Sequence, residues 1–194
     1  MRGNKKERIL RVLLRKPDGS LSKYRIAEEA KCTHVWVIKF LRTLEQKNLV
    51  EKTKVRDIKG LFYYWKEINK YPIYREYNVQ NPLEILKKTK LKFALTTYYA
   101  ENLTQNYLFP SRVDIYIKNQ DRDKWHDIFT KHGLVGRGNV RLLLNDEHIF
   151  YANIKKEGLR IVSIPQLILD LLREESVSVE AANMLMEKEY HGLI

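Results

Sequence analysis

The chain has 194 residues, 44% hydrophobic and 31% charged, enough apolar content for a packed core and too little charge bias for wholesale disorder. No apolar run reaches the ~20 residues of a membrane span. The net charge of +12 is uneven: residues 1–80 hold 20 Lys and Arg against 9 Asp and Glu, whereas 81–194 hold 16 against 15.

The first residues, up to Glu7, are basic, but arginines interrupt the apolar positions that follow, so no secretory leader is expected and a cytoplasmic protein is. Residues 5–15 predict a helix, with Ile9, Val12 and Leu13 on one stripe and Pro17-Asp18-Gly19 as its stop. Ser22 is the expected N-cap of a second helix over 23–30, which buries Ile26, Ala27 and Ala30. Cys32 lies in the link beyond it. As the single cysteine it excludes an internal disulfide and a cysteine-rich zinc site, and a small buried apolar role is expected, with a reactive thiol as the second alternative. Thr33 is the expected cap of a third helix, from His34 to about Lys47, with Val37, Leu41 and Leu44 inward and Asn48 as a left-handed residue after its end. Two short strands are expected next, at 49–54 and, from its aromatic content, 61–66. A basic turn holding Arg56 and Lys59 lies between them. Three helices, a strand, a basic turn and a strand make the winged helix-turn-helix order.

The stretch from Thr33 to Val50 resembles the recognition helix and first wing strand of winged-helix transcriptional regulators. The polar cap, the periodic apolar positions, Leu44-Glu45 and Leu49-Val50 carry that likeness; Asn48 replaces the usual Gly. In this reading the third helix enters a major groove of double-stranded DNA. Thr33, His34, Trp36, Lys39, Arg42 and Thr43 are the candidates on it for touching DNA. Arg42 suits bidentate recognition of guanine, and Lys39 a base or a phosphate. Trp36 either touches a thymine methyl or sugar or packs on the first helix; His34 either touches DNA or is a partly buried, hydrogen-bonded residue. Lys23, Tyr24 and Arg25 open the second helix, where free N–H groups favour phosphate. The wing contributes Lys52, Lys54, Arg56 and Lys59. A solvated basic surface is the plainer reading of any single charge, but three basic elements on one side suit a polyanion.

The prolines at 72 and 82 suggest an extended aromatic connector over 68–82, with a domain boundary near 80. Helices are expected over 83–88, 97–106, 123–132, 165–173 and 179–189. A short strand or a lead-in is expected at 93–95 and strands at 112–117 and 140–144, with a hairpin from 149–154 to 159–164. The whole is α+β: an N-terminal winged helix over 1–80, and an α/β domain with a mixed or antiparallel sheet over 81–194.

Several segments of this second half resemble the antitoxin family of type IV abortive-infection toxin–antitoxin systems. They are Phe93-Ala94-Leu95-Thr96-Thr97 with Ala100, Gly138-Asn139-Val140, Ser163-Ile164-Pro165-Gln166-Leu167 with Asp170-Leu171, and Glu180-Ala181-Ala182. Thr97 stands where that family has Gly. The resemblance covers most of the chain. It implies a transcriptional repressor of its own operon and leaves open whether a cognate toxin is a further partner. Two copies, as a homodimer or bound cooperatively, would occupy an inverted repeat.

The second domain also looks faintly like a nucleotidyltransferase. That chemistry needs paired carboxylates to hold two metal ions. Asp114 has Tyr116 two positions on, and Thr96-Thr97 replaces a Gly-Ser turn, so a salt-bridged or strand-end Asp114 is expected. His126 and His132 have the wrong spacing for one helix face and read as surface residues. Gly136-Arg137-Gly138-Asn139 lacks the Lys-Ser/Thr of a phosphate loop and reads as a tight turn. Ser163 has no nucleophile context. Gln166 and Asp170 face each other or the core. No enzymatic activity, cofactor, metal or membrane partner is expected. The alternatives are a nucleic-acid-modifying enzyme and a winged-helix protein-interaction module.

Overall fold

The computed structural model describes residues 5–69 and 71–193. Residues 1–4, Lys70 of the expected connector and Ile194 lie outside them. The chain is α+β, with nine α-helices and a mixed seven-stranded sheet among the described residues. None of these helices is long and apolar enough to cross a membrane. The chain divides into two compact units, one of Met1–Lys70, Ile164–Leu169 and Ala182–Ile194 and a second of Tyr71–Ser163 and Asp170–Ala181. The division after Lys70 and the two returning segments differ from the expected boundary near 80.

In the first unit, α1 (Lys5–Arg15) buries Ile9, Leu10, Val12, Leu13 and Leu14. After it, Asp18 forms an isolated antiparallel bridge to Lys54. Helix α2 (Lys23–Glu29) is capped by Ser22, whose hydroxyl accepts from the Arg25 N–H at 3.1 Å. Helix α3 (His34–Gln46) buries Val37, Phe40, Leu41 and Leu44. Thr33 holds its cap position, but its side chain makes no capping bond. Asn48 adopts φ 57°, the left-handed conformation expected of it.

The single strand expected at 49–54 is instead a hairpin: β1 (Val50–Glu51) and β2 (Lys54–Val55) pair antiparallel over two residues each. The second expected strand is a helix, α4 (Ile58–Ile68). The Asp57 carboxylate accepts from the Gly60 N–H at 2.7 Å and caps it. Ile58, Leu61, Phe62 and Trp65 recur at helical spacing and are all buried. Burial of that stripe, at about 1.5–3 kcal/mol per large side chain, outweighs a β-propensity scale spanning only about 1 kcal/mol. The segments from the end of the chain complete this core. Gln166 accepts from Arg11 Nε at 3.0 Å, and the Tyr190 hydroxyl donates to the Leu14 carbonyl at 2.8 Å.

The second unit is built on the sheet β6-β3-β7-β5-β4-β9-β8. Its strands are β3 (Tyr74–Val79), β4 (Phe93–Thr96), β5 (Val113–Lys118), β6 (Gly133–Val135), β7 (Val140–Asn145), β8 (Ile154–Lys156) and β9 (Leu159–Ile161). Helices α5 (Pro82–Lys88), α6 (Thr97–Gln105) and α7 (Arg122–Thr130) connect them. Helices α8 (Ile164–Glu174) and α9 (Val177–Glu189) divide their residues between the two units. Pairs β5–β7 and β4–β9 are parallel and the remaining pairs antiparallel, the mixed form of the expectation.

Two strands of this unit were not expected. The connector contains β3, because Pro72 precedes the strand and leaves its N–H ladder intact. Gly133 opens β6 instead of simply ending a helix. A Cβ at that position would lie 2.0 Å from the Asn78 carbonyl oxygen, so only Gly lets the two strands meet. The late hairpin is shorter than expected. Residues Glu147–Phe150 form a 3₁₀ turn, with the Asp146 carboxylate accepting from the His148 N–H at 2.8 Å. One sheet face is apolar: Tyr77, Val113, Ile115 and Leu142 are buried there, and Tyr77 lies 5.2 Å from the Phe129 ring of α7. Strand alternation turns Thr96, Asp114, Arg141 and Glu76, aligned across four strands, to the other face.

Candidate functional site

The basic candidates lie at the surface of the first unit. Tyr24, Arg25, Thr33, His34, Trp36, Lys39, Arg42, Lys52, Lys54, Arg56 and Lys59 are exposed, and Lys23 and Thr43 are half-buried. On α3 the inward stripe of Val37, Phe40, Leu41 and Leu44 leaves Val35, Lys39, Arg42 and Gln46 on the opposite face at i, i+4, i+7 and i+11. Val35 and Gln46 were missed as members of this stripe, although helical spacing alone marks them. The Tyr24 and His34 rings are 6.4 Å apart, which brings the starts of α2 and α3 together. Glu45 of α3 accepts from the Lys52 N–H at 2.9 Å and holds the hairpin turn beside that helix.

Not every candidate is equally available. Arg25 is held by Glu28 at 3.1 Å and Glu29 at 3.0 Å, which raises its pKa. Arg56 pairs with Glu51, and the Thr43 hydroxyl donates back to the Lys39 carbonyl at 3.2 Å. Arg56 lies between the hairpin and α4, and Lys59 lies in the first turn of α4, so neither belongs to a turn between two wing strands. Trp36 keeps 40% of its surface exposed, while Lys5 of α1 sits 5.3 Å from its ring centre. His34 is exposed, so its partly buried alternative fails. Lys23, Lys39, Arg42, Lys52, Lys54 and Lys59 have no ion-pair partner among the described residues. Cys32 is half-buried rather than buried, and desolvation raises its thiol pKa, the opposite of an activated thiolate.

The second unit holds a buried polar cluster. Asp114 is fully buried on β5. It accepts from Arg112 Nε at 2.6 Å, from a terminal Arg112 nitrogen at 2.9 Å, and from Arg141 at 2.9 and 3.3 Å. The Thr97 hydroxyl donates to it as well. Glu174 of α8 accepts from both arginines and from the Tyr71 hydroxyl, the last at 2.8 Å. Burial pushes the Asp114 carboxyl up to about 7, against the pull of Arg112 and Thr97 and with a push from Glu174. Burial and Glu174 raise Tyr71. Beside this cluster Asp170 accepts from Thr96 at 2.6 Å and Tyr116 at 3.1 Å.

This arrangement matches the salt-bridged reading of Asp114. A carboxylate offers about four lone-pair positions, and five donors already address this one. Tyr116, at the position of a second carboxylate, is committed to Asp170. Thr97 adopts φ 51°, the left-handed conformation that the Gly expected there takes freely and a β-branched residue resists. Arg112 and Asp114 are two apart on the strand expected at 112–117, so their shared face was legible, although β5 itself begins at Val113. Arg141 and Glu174 were missed, because only strand register and helix placement bring them in.

His126 is half-buried, with Nδ1 3.1 Å from the Tyr77 hydroxyl, and so is not a free surface residue; His132 is exposed. Asn139 ends the Gly-rich turn, accepting from the Val79 N–H and donating to its carbonyl, both at 2.9 Å. Gln166 Oε1 accepts from Arg11 Nε at 3.0 Å and from a terminal Arg11 nitrogen at 2.8 Å. Cavities of about 420 and 400 Å³ are lined in part by α5, and neither includes Asp114. Compared with known proteins, the chain matches no family model, no curated protein and no solved structure.

Proposed function

We propose that this chain is a sequence-specific DNA-binding regulator that represses its own operon, and that its first unit acts as a winged helix-turn-helix. The observation that carries the reading is the pairing of Lys39 and Arg42 on the exposed face of α3, free of ion pairs among the described residues. The order α1, bridge at Asp18, α2, α3, β1, β2 supports a winged helix with a minimal wing. Docked in a major groove, α3 turns Arg42 and Lys39 to base edges, while Lys23, Lys52 and Lys54 meet phosphates. Arg25 and Arg56 contribute less, since each already holds a carboxylate. The resemblance to abortive-infection antitoxins supports an operon that also encodes a toxin. The reading gives Asp114 no catalytic role, because its oxygens are taken.

The test is a mobility-shift titration on the DNA upstream of the protein's own gene, with random duplex as competitor and at two salt concentrations. The wild type should resist competitor and weaken steeply with salt. Lys39→Ala with Arg42→Ala should cost roughly 1–3 kcal/mol for each base interaction removed. Wild-type affinity in the double variant would sink the docking.

A further inference from the structure

We propose that the β6 edge of the second unit is a strand-addition site for an extended segment of a partner protein, apolar at its centre and acidic at its ends. Strand β6 is the outermost of its sheet and, among the described residues, pairs only with β3. The Gly136 N–H donates to the Glu76 carbonyl and the Gln80 N–H to the His132 carbonyl. Antiparallel ladders alternate, so the Leu134–Asn78 pair also bonds inward, while the N–H and C=O groups of Gly133 and Val135 point away from the sheet. Those four groups form a ready template for another strand.

The side chains agree. Leu134 is 74% and Val135 52% exposed, and no charge interrupts the strand. The opposite edge strand, β8, carries Lys155 and Lys156 within three residues, the usual protection of an edge. Basic groups flank β6 instead: Lys131 and His132 before it and Arg137 after it, all exposed and without an ion-pair partner among the described residues. A second copy paired antiparallel about Leu134 would set Lys131 against Arg137 twice, a like-charge arrangement that opposes self-association. An acidic-flanked strand satisfies the same positions.

The experiment is amide hydrogen exchange followed by NMR on the full chain. The probe is a short capped peptide of alternating valine and threonine with glutamates at both ends; the control replaces the glutamates with lysines. The glutamate peptide should slow exchange at Gly133 and Val135 by at least about tenfold, and the lysine peptide should not. Val135→Pro removes an outward N–H without touching the β3 ladder and should abolish the protection at Gly133. Should this variant misfold, Lys131→Glu with Arg137→Glu should reverse the preference towards the lysine peptide. Unchanged exchange at both amides, equal protection by both peptides, or concentration-dependent protection without peptide would each overturn the proposal; the last would make a second copy the occupant.

Discussion

Phe62 and Tyr63 are adjacent in sequence, yet α4 assigns them opposite fates. Phe62 is fully buried, 6.5 Å from the Trp65 ring and 5.9 Å edge-on from that of Tyr190, whereas Tyr63 is 42% exposed. Phe62→Ala removes a core ring and leaves a cavity, so it should destabilise by about 3–5 kcal/mol. Tyr63→Ala trims a surface residue and places a better helix former there, which should leave stability within about 0.5 kcal/mol. For a chain of this size the first change corresponds to a melting-temperature fall of roughly 6–20 °C. Thermal and urea denaturation of the full chain, followed by circular dichroism, measures both variants. A strand over this segment would put Leu61, Tyr63 and Trp65 on one face and invert the order. Tyr63→Ala costing as much as Phe62→Ala would therefore refute the helical assignment.

Two further predictions concern the buried polar cluster. Folding raises the Asp114 pKa from 3.8 to about 7, so its contribution to stability is full below 3.8 and drains as pH rises through about 7. The advantage of wild type over Asp114→Asn should shrink between those limits, by on the order of 4 kcal/mol at most; an advantage that grows with pH would contradict the raised pKa. Thr97→Gly relieves a left-handed backbone while losing one hydroxyl bond, so it should stay within about 1 kcal/mol of wild type. Thr97→Val keeps the strain and loses the bond, and urea denaturation should find it less stable than Thr97→Gly by about 1–3 kcal/mol.

Elements with one dominant local signal were legible in the residues alone. Helices α1, α2 and α3 followed from apolar spacing, the Ser22 cap and the Pro17 and Asn48 stops. Strand β5 followed from alternation around Ile115 and Ile117. The exposed set on α3 came with the same periodicity, because a stripe that faces inward determines the one that faces out. Where two local signals competed, tertiary packing decided. The aromatic run at 61–66 satisfies both β-propensity and helical spacing, and the buried stripe with the Asp57 cap made it α4. Strand β3 looked like a connector because its inward residues, Tyr77 and Val79, acquire meaning only against β7 and β6. The Asp114 cluster depends on register: Arg141 is 27 residues away in sequence and Glu174 is 60 from Asp114, and no spacing rule links them. Local patterning thus determines which face each helix and strand turns inward, since it needs only neighbours along the chain. Which buried charges meet is a non-local choice, made when the strands align.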